Sequence, residues 1–381
     1  MTITPAPTEP SNAQRRATSR TGARVETATP PILAAETPDH ERVLITTGPR
    51  SGLTIIVAVH STRLGQALGG ARLWHYPHWS DALADALRLS KAMTLKNSAA
   101  GIDFGGGKSV VRIPEGVTLD DAARRDAMLD LGDAVESLGG AYMTAEDVGT
   151  SAELMAVVAS RTAHVCGMPP EQGGVGEPAD ATAAGVFAGI RETVRTVFGS
   201  EELAGRHFVI SGLGQVGGRL ARALAEAGAR LTVSDVVAGK RELARELGAA
   251  WVEPEEAAAV EADVFVPCGL GGALTPEVVA GLRVRAVVGA ANNQLASRDV
   301  AGLLAERGIL WAPDFVVNAG GVIYLALAAD DPEGTARRVD AIGERLGEVY
   351  REAAERGTTT LAAAERLARA RLDRAHPDQR R

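Results

Sequence analysis

The stretch His207-Phe208-Val209-Ile210-Ser211-Gly212-Leu213-Gly214-Gln215-Val216-Gly217-Gly218 decides the fold. Its first five residues centre on the apolar run Phe208-Val209-Ile210 and are followed by glycine, the pattern of a buried strand. A G-x-G-x-x-G sequence follows at once, and Leu220 and Leu224 then fall one turn apart on a helix that stops near Gly228. Strand, glycine turn and helix in this order give the motif a mechanism that a lone glycine pattern lacks. Gly212 permits the tight turn, Gly214 lets the backbone approach a pyrophosphate, and Gly217 lets helix and strand pack closely. Leu213, Gln215 and Val216 complete the turn, whose free N–H groups and partial positive charge suit phosphates. A second strand, residues 231–234, ends in Asp235, eighteen residues beyond Gly217. Its carboxylate is placed to accept hydrogen bonds from a ribose 2′-hydroxyl and would repel a 2′-phosphate. Val236 and Val237 follow with no arginine directly after Asp235, and Lys240 is a nearby cation that weighs the other way; NAD is expected rather than NADP.

Further strands are expected at residues 263–266, 285–289 and 309–311, so the second half reads as a mostly parallel sheet with helices on both faces. The first half has a different texture. Residues 53–60 read as a buried strand, and Ser80 reads as the cap of a helix carrying Leu83 and Leu87 and running on to Lys96. A glycine loop, Gly105 to Gly107, leads to Lys108 and a short strand at 109–113, and a helix is expected over 119–138. The fold class is therefore α/β with two domains. An N-terminal α/β substrate and catalytic domain spans residues 39–178, and a Rossmann-type NAD-binding domain spans 179–330. C-terminal helices follow over 331–381. Residues 1–38 are rich in Pro, Thr, Ser and Ala and read as a disordered tail. Arg15, Arg16, Arg20 and Arg24 in an acid-poor start also fit the composition of a transit peptide.

Composition narrows the partners. A formal net charge of -8 argues against nucleic acid, because no domain carries the basic excess that phosphate backbones demand. The longest apolar runs, such as residues 319–329, are shorter than the roughly 18 residues of a membrane span. No membrane partner is expected, and a cytoplasmic location is. Cys166 and Cys268 form no disulfide framework and show no metal-ligand spacing, so they read as small buried hydrophobes and no metal is expected.

The chemistry concentrates in Lys96-Asn-Ser-Ala-Ala-Gly-Ile-Asp-Phe-Gly-Gly-Gly-Lys108. The glycines are expected to let a ligand approach the backbone beside Lys108. A lysine held near another cation and away from water loses basicity and can serve as a general base near neutral pH. Lys96 then reads as the fixed cation for a carboxylate. Glu146 or Asp147, in Ala145-Glu-Asp-Val-Gly-Thr150, could move protons to and from a leaving amine. Residue chemistry alone reaches a nicotinamide-dependent oxidoreductase with a Lys/Lys/Asp site.

Eight stretches in order resemble the leucine, valine and phenylalanine dehydrogenases of the wider glutamate dehydrogenase superfamily. They are LGGAR (Leu68 to Arg72), MTLKNSAAG (Met93 to Gly101), GGGKSV (Gly105 to Val110), TAEDVGT (Thr144 to Thr150), SGLGQVGG (Ser211 to Gly218), VPCGLGGAL (Val266 to Leu274), GAANNQLA (Gly289 to Ala296) and PDFVVNAGGVI (Pro313 to Ile323). The resemblance implies oxidative deamination of an L-amino acid to the 2-oxo acid and ammonia, and the reverse. It implies that Lys96, with backbone groups of Gly69 and Gly70, grips the substrate carboxylate. It further implies that Lys108 activates water and Asp147 shuttles the amine proton. By the same likeness Asn293 and Asn292 contact substrate and nicotinamide ribose, Asn318 lies near the carboxamide, and Thr182 lies close to the nicotinamide. A homo-oligomer is expected.

The implied side-chain pocket is lined by Leu68, Ala145, Val322 and Leu325. Ala145 matches the branched-chain enzymes, which favours leucine, valine or isoleucine. One methyl is worth only about 1–3 kcal/mol. Tyr324 and Leu325 depart from the branched-chain pattern and motivate an aromatic substrate, phenylalanine or tryptophan, as the alternative. Departures there and at Ala179-Asp180 also motivate a third reading, an inactive NAD-binding sensor. Retention of Lys96, Lys108 and Asp147 speaks against it.

Overall fold

β-Branched and glycine-rich segments of the first half assemble into a five-stranded mixed sheet. The structure, a computed structural model, describes residues 39–375. The tail expected over 1–38 and the end of the C-terminal segment lie outside the described residues. Strands β1 (Arg42–Thr47), β2 (Thr54–Ser61), β3 (Ala67–His75), β4 (Gly105–Ile113) and β5 (Tyr142–Glu146) lie in the order β1-β2-β4-β3-β5. β2 runs antiparallel to β1 and β4, whereas β3 is parallel to β4 and β5.

Side chains alternate across a strand, so the sheet has two distinct faces. One presents Ile56, Ala58 and Val110 to Ala82 and Ala86 of helix α1 (Trp79–Ala99). Lys108 stands opposite Ala58, and Arg72 opposite Val110, which puts both on the α1 face. The other face carries Val57, Val59, Ala71, Leu73 and Val111. It is covered by α2 (Asp121–Glu136) and α3 (Ala152–Ala159) through Met128, Leu131, Met155 and Val158.

Two local features differ from the sequence reading. Gly105–Gly107 lie inside β4 and form no loop. A Cβ on Gly107 would fall 2.5 Å from the Tyr142 ring, and one on Gly105 would fall 1.9 Å from the Ser61 carbonyl oxygen. These glycines admit neighbouring protein atoms rather than a ligand. Helix α1 begins at Trp79 with His78 as its N-cap, and Asp81 Oδ2 accepts the His78 backbone N–H at 3.0 Å. Ser80 therefore sits within the first turn and is not the cap.

The second domain follows α4 (Ala179–Phe198) with β6 (His207–Ser211), α5 (Gln215–Glu226), β7 (Arg230–Ser234), β8 (Ala250–Trp251), β9 (Val264–Pro267), β10 (Ala286–Val287) and β11 (Leu310–Trp311). All pairings are parallel, in the order β8-β7-β6-β9-β10-β11. Counted from β6 this is 3-2-1-4-5-6, the doubly wound order with a crevice where it reverses, between β6 and β9. One face packs Phe208, Ile210 and Val266 against Ile190, Leu220 and Leu224. The other packs Val209, Phe265 and Val287 against Val279, Val300 and Leu304. Helices thus cover both faces, as the strand and helix alternation predicts.

Among the described residues five further helices follow: α6 (Asp314–Val317), α7 (Gly320–Leu327), α8 (Pro332–Asp340), α9 (Ile342–Arg356) and α10 (Thr360–Arg374). The last two return to the end of α1. Ser98 Oγ donates to the Ala368 carbonyl at 2.7 Å, and Arg371 donates to the Ile102 carbonyl at 2.8 Å and pairs with Asp103 at 2.7 Å. Arg345 donates to the Ala100 carbonyl. Cations at the carbonyl end of a helix are favourably placed. Among the described residues, no helix is long and apolar enough to cross a membrane.

Candidate active site

Asp85 and Lys96 are eleven residues apart, about three helical turns, so both lie along one side of α1. Around them the sheet contributes Gly70 and Arg72 from β3, Lys108 from β4 and Asp147 just beyond β5. Lys108 Nζ lies 2.9 Å from Asp147 Oδ2, and its side chain is only 5% exposed. Arg72 Nε reaches the same oxygen at 2.8 Å, and its other arm reaches Asp85 Oδ2 at 2.8 Å. Asp85 also accepts from Tyr76 Oη at 2.6 Å and from Arg88 at 2.8 Å. A Cβ on Gly70 would fall 3.2 Å from Lys108 Nζ and 2.8 Å from Asp147 Cβ, so glycine preserves room for the pair. Gly69 answers a different need, since its Cβ would fall 1.8 Å from the Gly107 carbonyl oxygen.

The charges follow from this packing. Burial pushes the Lys108 amine below the usual lysine value, with Arg72 acting in the same sense and Asp147 opposing. Burial pushes the Asp147 carboxyl up, yet Lys108 and Arg72 outweigh it and hold the group below the usual carboxylate range. Glu146 is raised by burial and by the neighbouring Glu177 and Glu153. Of these two carboxylates at the end of β5, Asp147 is the one paired with Lys108.

Lys96 faces the second domain. Its Nζ donates to Asn318 Oδ1 at 2.7 Å, and Asn318 Nδ2 donates to Asn292 Oδ1 at 2.9 Å and to the Ala290 carbonyl at 3.2 Å. Burial, helped by Lys108 and opposed by Asp314, brings the Lys96 amine down to about 8. Asp314, at the start of α6, is raised by burial although Lys96 and the N–H groups of Asn293, Gln294 and Phe315 favour its charge. Asn293 is exposed and holds φ at 51°, the left-handed region, alone among the described non-glycine residues.

At the crevice of the parallel sheet, Gly212 adopts φ 102° and a Cβ there would fall 2.8 Å from Gly269 N. A Cβ on Gly217 would fall 2.0 Å from the Gly212 carbonyl oxygen, whereas one on Gly214 would meet nothing within 4 Å. The turn is closed where the protein packs and open where a ligand would lie. Asp235 accepts from Leu213 N at 2.6 Å and from Val237 N at 2.8 Å. Leu213 is buried, Val216 packs against the same core, and Gln215 Oε1 accepts from Arg219 at 2.8 Å. Thr182 Oγ1 donates to the Pro178 carbonyl at 2.9 Å and lies 2.6 Å from where Gly321 would carry a Cβ.

Leu68 and Val322 share an apolar cluster with Ile102 and Ile323, and Ala145 is buried opposite Gly70. Leu325 lies against Gly167, its Cδ2 3.3 Å from where a Cβ would sit. Tyr324 Oη donates to the Val175 carbonyl at 2.5 Å. Both cysteines are free and half-buried rather than fully buried, and burial pushes each thiol up to about 12. No His, Cys, Asp and Glu group suited to a metal occurs among the described residues.

Sequence reasoning passed over Arg72, Asp85, Tyr76 and Asp314. A signal existed for two of them. Arg72 follows Gly70 by two positions and so shares its face, and Asp85 precedes Lys96 by three turns of one helix.

Comparison with known proteins agrees with this architecture. The Glu/Leu/Phe/Val dehydrogenase dimerisation-domain family model matches residues 40–164, and the glutamate/leucine/phenylalanine/valine dehydrogenase model matches 173–239 and 238–380. The chain is 39% identical to leucine dehydrogenase of Geobacillus stearothermophilus over 89% of this chain and 92% of that one. It is 40% identical to valine dehydrogenase of Streptomyces virginiae, over 87% and 94%. The crystal structure of L-tryptophan dehydrogenase from Nostoc punctiforme superposes with a TM-score of 0.79 at 36% identity, covering 90% of this chain and 99% of that chain. With both its mixed and its parallel sheet matched, the chain belongs to the glutamate/leucine/phenylalanine/valine dehydrogenase family.

Proposed function

We propose that this protein catalyses NAD-dependent oxidative deamination of an aliphatic L-amino acid, leucine, valine or isoleucine, and the reverse reductive amination. As a family member it is an amino acid dehydrogenase, an oxidoreductase acting on the CH–NH2 group of its donor. The observation that carries the finer reading is the buried Lys108–Asp147 pair, with Lys96 on the neighbouring helix facing Asn318 of the second domain. We place the domain boundary near residue 178.

The residues at the crevice fit a dinucleotide. Gly214 leaves open space at the start of α5, and Asp235 directly follows β7 beside the turn, where a 2′-phosphate would be repelled. Bound NAD would supply the acceptor for the hydride leaving the substrate α-carbon. Lys96 Nζ holds the substrate carboxylate, with the backbone of Gly69 and Gly70 beside it and Asn293 on the opposite side. Asn292, Asn318 and Thr182 line the nicotinamide side. Asp147 takes a proton from the substrate amine, and neutral Lys108 Nζ takes one from the water that attacks the imine carbon.

A second reading, an aromatic amino acid, is supported by the likeness to tryptophan dehydrogenase and by Tyr324 and Leu325, which depart from the branched-chain pattern. The pairing of Lys108 with Asp147 counts against the sensor reading. A homo-oligomer joined through the first domain is supported by exposed Val43 and Ile45 on edge strand β1, and light scattering tests it. The deciding experiment follows NADH formation by purified protein with leucine, valine, isoleucine, phenylalanine and tryptophan. Preference for an aliphatic substrate is expected. A higher kcat/KM for an aromatic one overturns the substrate assignment, and NADPH formation in place of NADH overturns the cofactor.

A further inference from the structure

Asp147 is met by more positive charge than the proposed reaction requires. Its Oδ2 takes Lys108 Nζ at 2.9 Å and Arg72 Nε at 2.8 Å, while its backbone N–H is fixed by Thr150 Oγ1 at 2.9 Å. Arg72 is in turn held from the far side by Asp85 at 2.8 Å, and Tyr76 and Arg88 fix Asp85. A guanidinium is planar and bridges two carboxylates with a set geometry, which an ammonium on a flexible stem does not. The bridge runs from α1, the helix that also carries Lys96, across β3 to the end of β5.

We propose that Arg72 is a positioning residue: anchored by Asp85, it occupies Asp147 Oδ2, leaves Oδ1 for the substrate amine, and keeps the Lys108–Asp147 pair from taking up a proton. The inference rests on Lys108 and Asp147 being the reacting pair. The groups facing Asp147 are Lys108 on β4, Arg72 on β3, Asp85 and Lys96 on α1, Tyr142 on β5, the adjacent Glu146, and Tyr76 and Arg88 behind Asp85. Lys108 and Asp147 touch, so they titrate as one unit. A fixed positive charge disfavours a proton on either member. Taking the charge away lets the pair bind a proton at higher pH. The acid limb of the pH profile therefore moves upward, by about 1–3 units for a cation at this range.

The test compares pH profiles of kcat/KM for the full-length protein and its Arg72→Gln and Arg72→Lys variants, using the best amino acid substrate. NAD binding and thermal melting confirm folding, and Arg72→Met stands in should the glutamine variant fail to fold. The neutral variant should show an acid limb at least one unit higher. The lysine variant should keep the limb near its original place while kcat falls, because the charge stays but the bridge to Asp85 is lost. A neutral variant with reduced kcat and an unmoved limb would show a merely structural role and overturn the inference. So would a lysine variant whose limb moves as far as that of the neutral one. Lys108→Ala serves as the control: if it keeps its turnover, the reacting-pair reading itself fails, whatever Arg72 does.

Discussion

Lys96 and Lys108 carry the same side chain but stand in different surroundings, and their expected behaviours differ accordingly. Lys108 shares its pocket with Asp147, so Lys108→Ala should lower kcat by at least about 10²–10⁴-fold while leaving NAD affinity unchanged, as stopped-flow and binding titrations would show. Lys96 loses its proton at about 8 because burial disfavours the charge. A bound carboxylate restores that preference and raises the value. Binding of a 2-oxo acid to the NADH complex roughly one pH unit above this point should therefore take up a proton. Calorimetry in buffers of different ionisation enthalpy measures that uptake, and Lys96→Met should abolish it. The lysines were legible from sequence because each sits in an otherwise apolar or glycine-rich context. Asp314 was not, because nothing in Pro313-Asp-Phe315 shows that the chain returns to Lys96.

At the scale of elements, the glycines of the β6–α5 turn have separable duties. Gly217→Ala would drive a Cβ to 2.0 Å from the Gly212 carbonyl oxygen, so helix and strand must part. It should lower both the melting temperature and the NAD affinity. Gly214→Ala meets no protein atom within 4 Å. It should leave melting nearly unchanged and weaken NAD binding alone, a contrast that differential scanning fluorimetry with and without NAD would reveal. Strand β6 and its turn were readable because apolar run, glycines and helix period coincide. Strands β1, β3 and β5 were not. β1 is an edge strand with no fully buried residue, Gly69 and Gly70 interrupt β3, and β5 is five residues long. Gly105–Gly107 misled for a related reason: glycine in a strand reads as a loop until the ring of Tyr142 is seen to need the space.

Across the whole molecule, the two domains are joined by the return of α9 and α10 to the end of α1. Arg371 satisfies the Ile102 carbonyl and Asp103 just beyond the turn that carries Lys96. Arg371→Met should therefore raise KM for the amino acid severalfold with little change in NAD affinity, as steady-state kinetics with each substrate varied would show. The parallel sheet with helices on both faces followed from strand and helix alternation, but this return did not, since the helical C-terminus looks alike whichever surface it covers. The contact of Ser98 with Ala368 spans 270 residues of chain. During synthesis, then, the turn bearing Lys96 emerges from the ribosome long before its clamp exists. The support of the Lys96 turn is completed only when the helix at 360–374 has been made, so a nascent chain stalled before residue 360 would carry both lysines on a turn still lacking its Ser98 and Ile102 contacts.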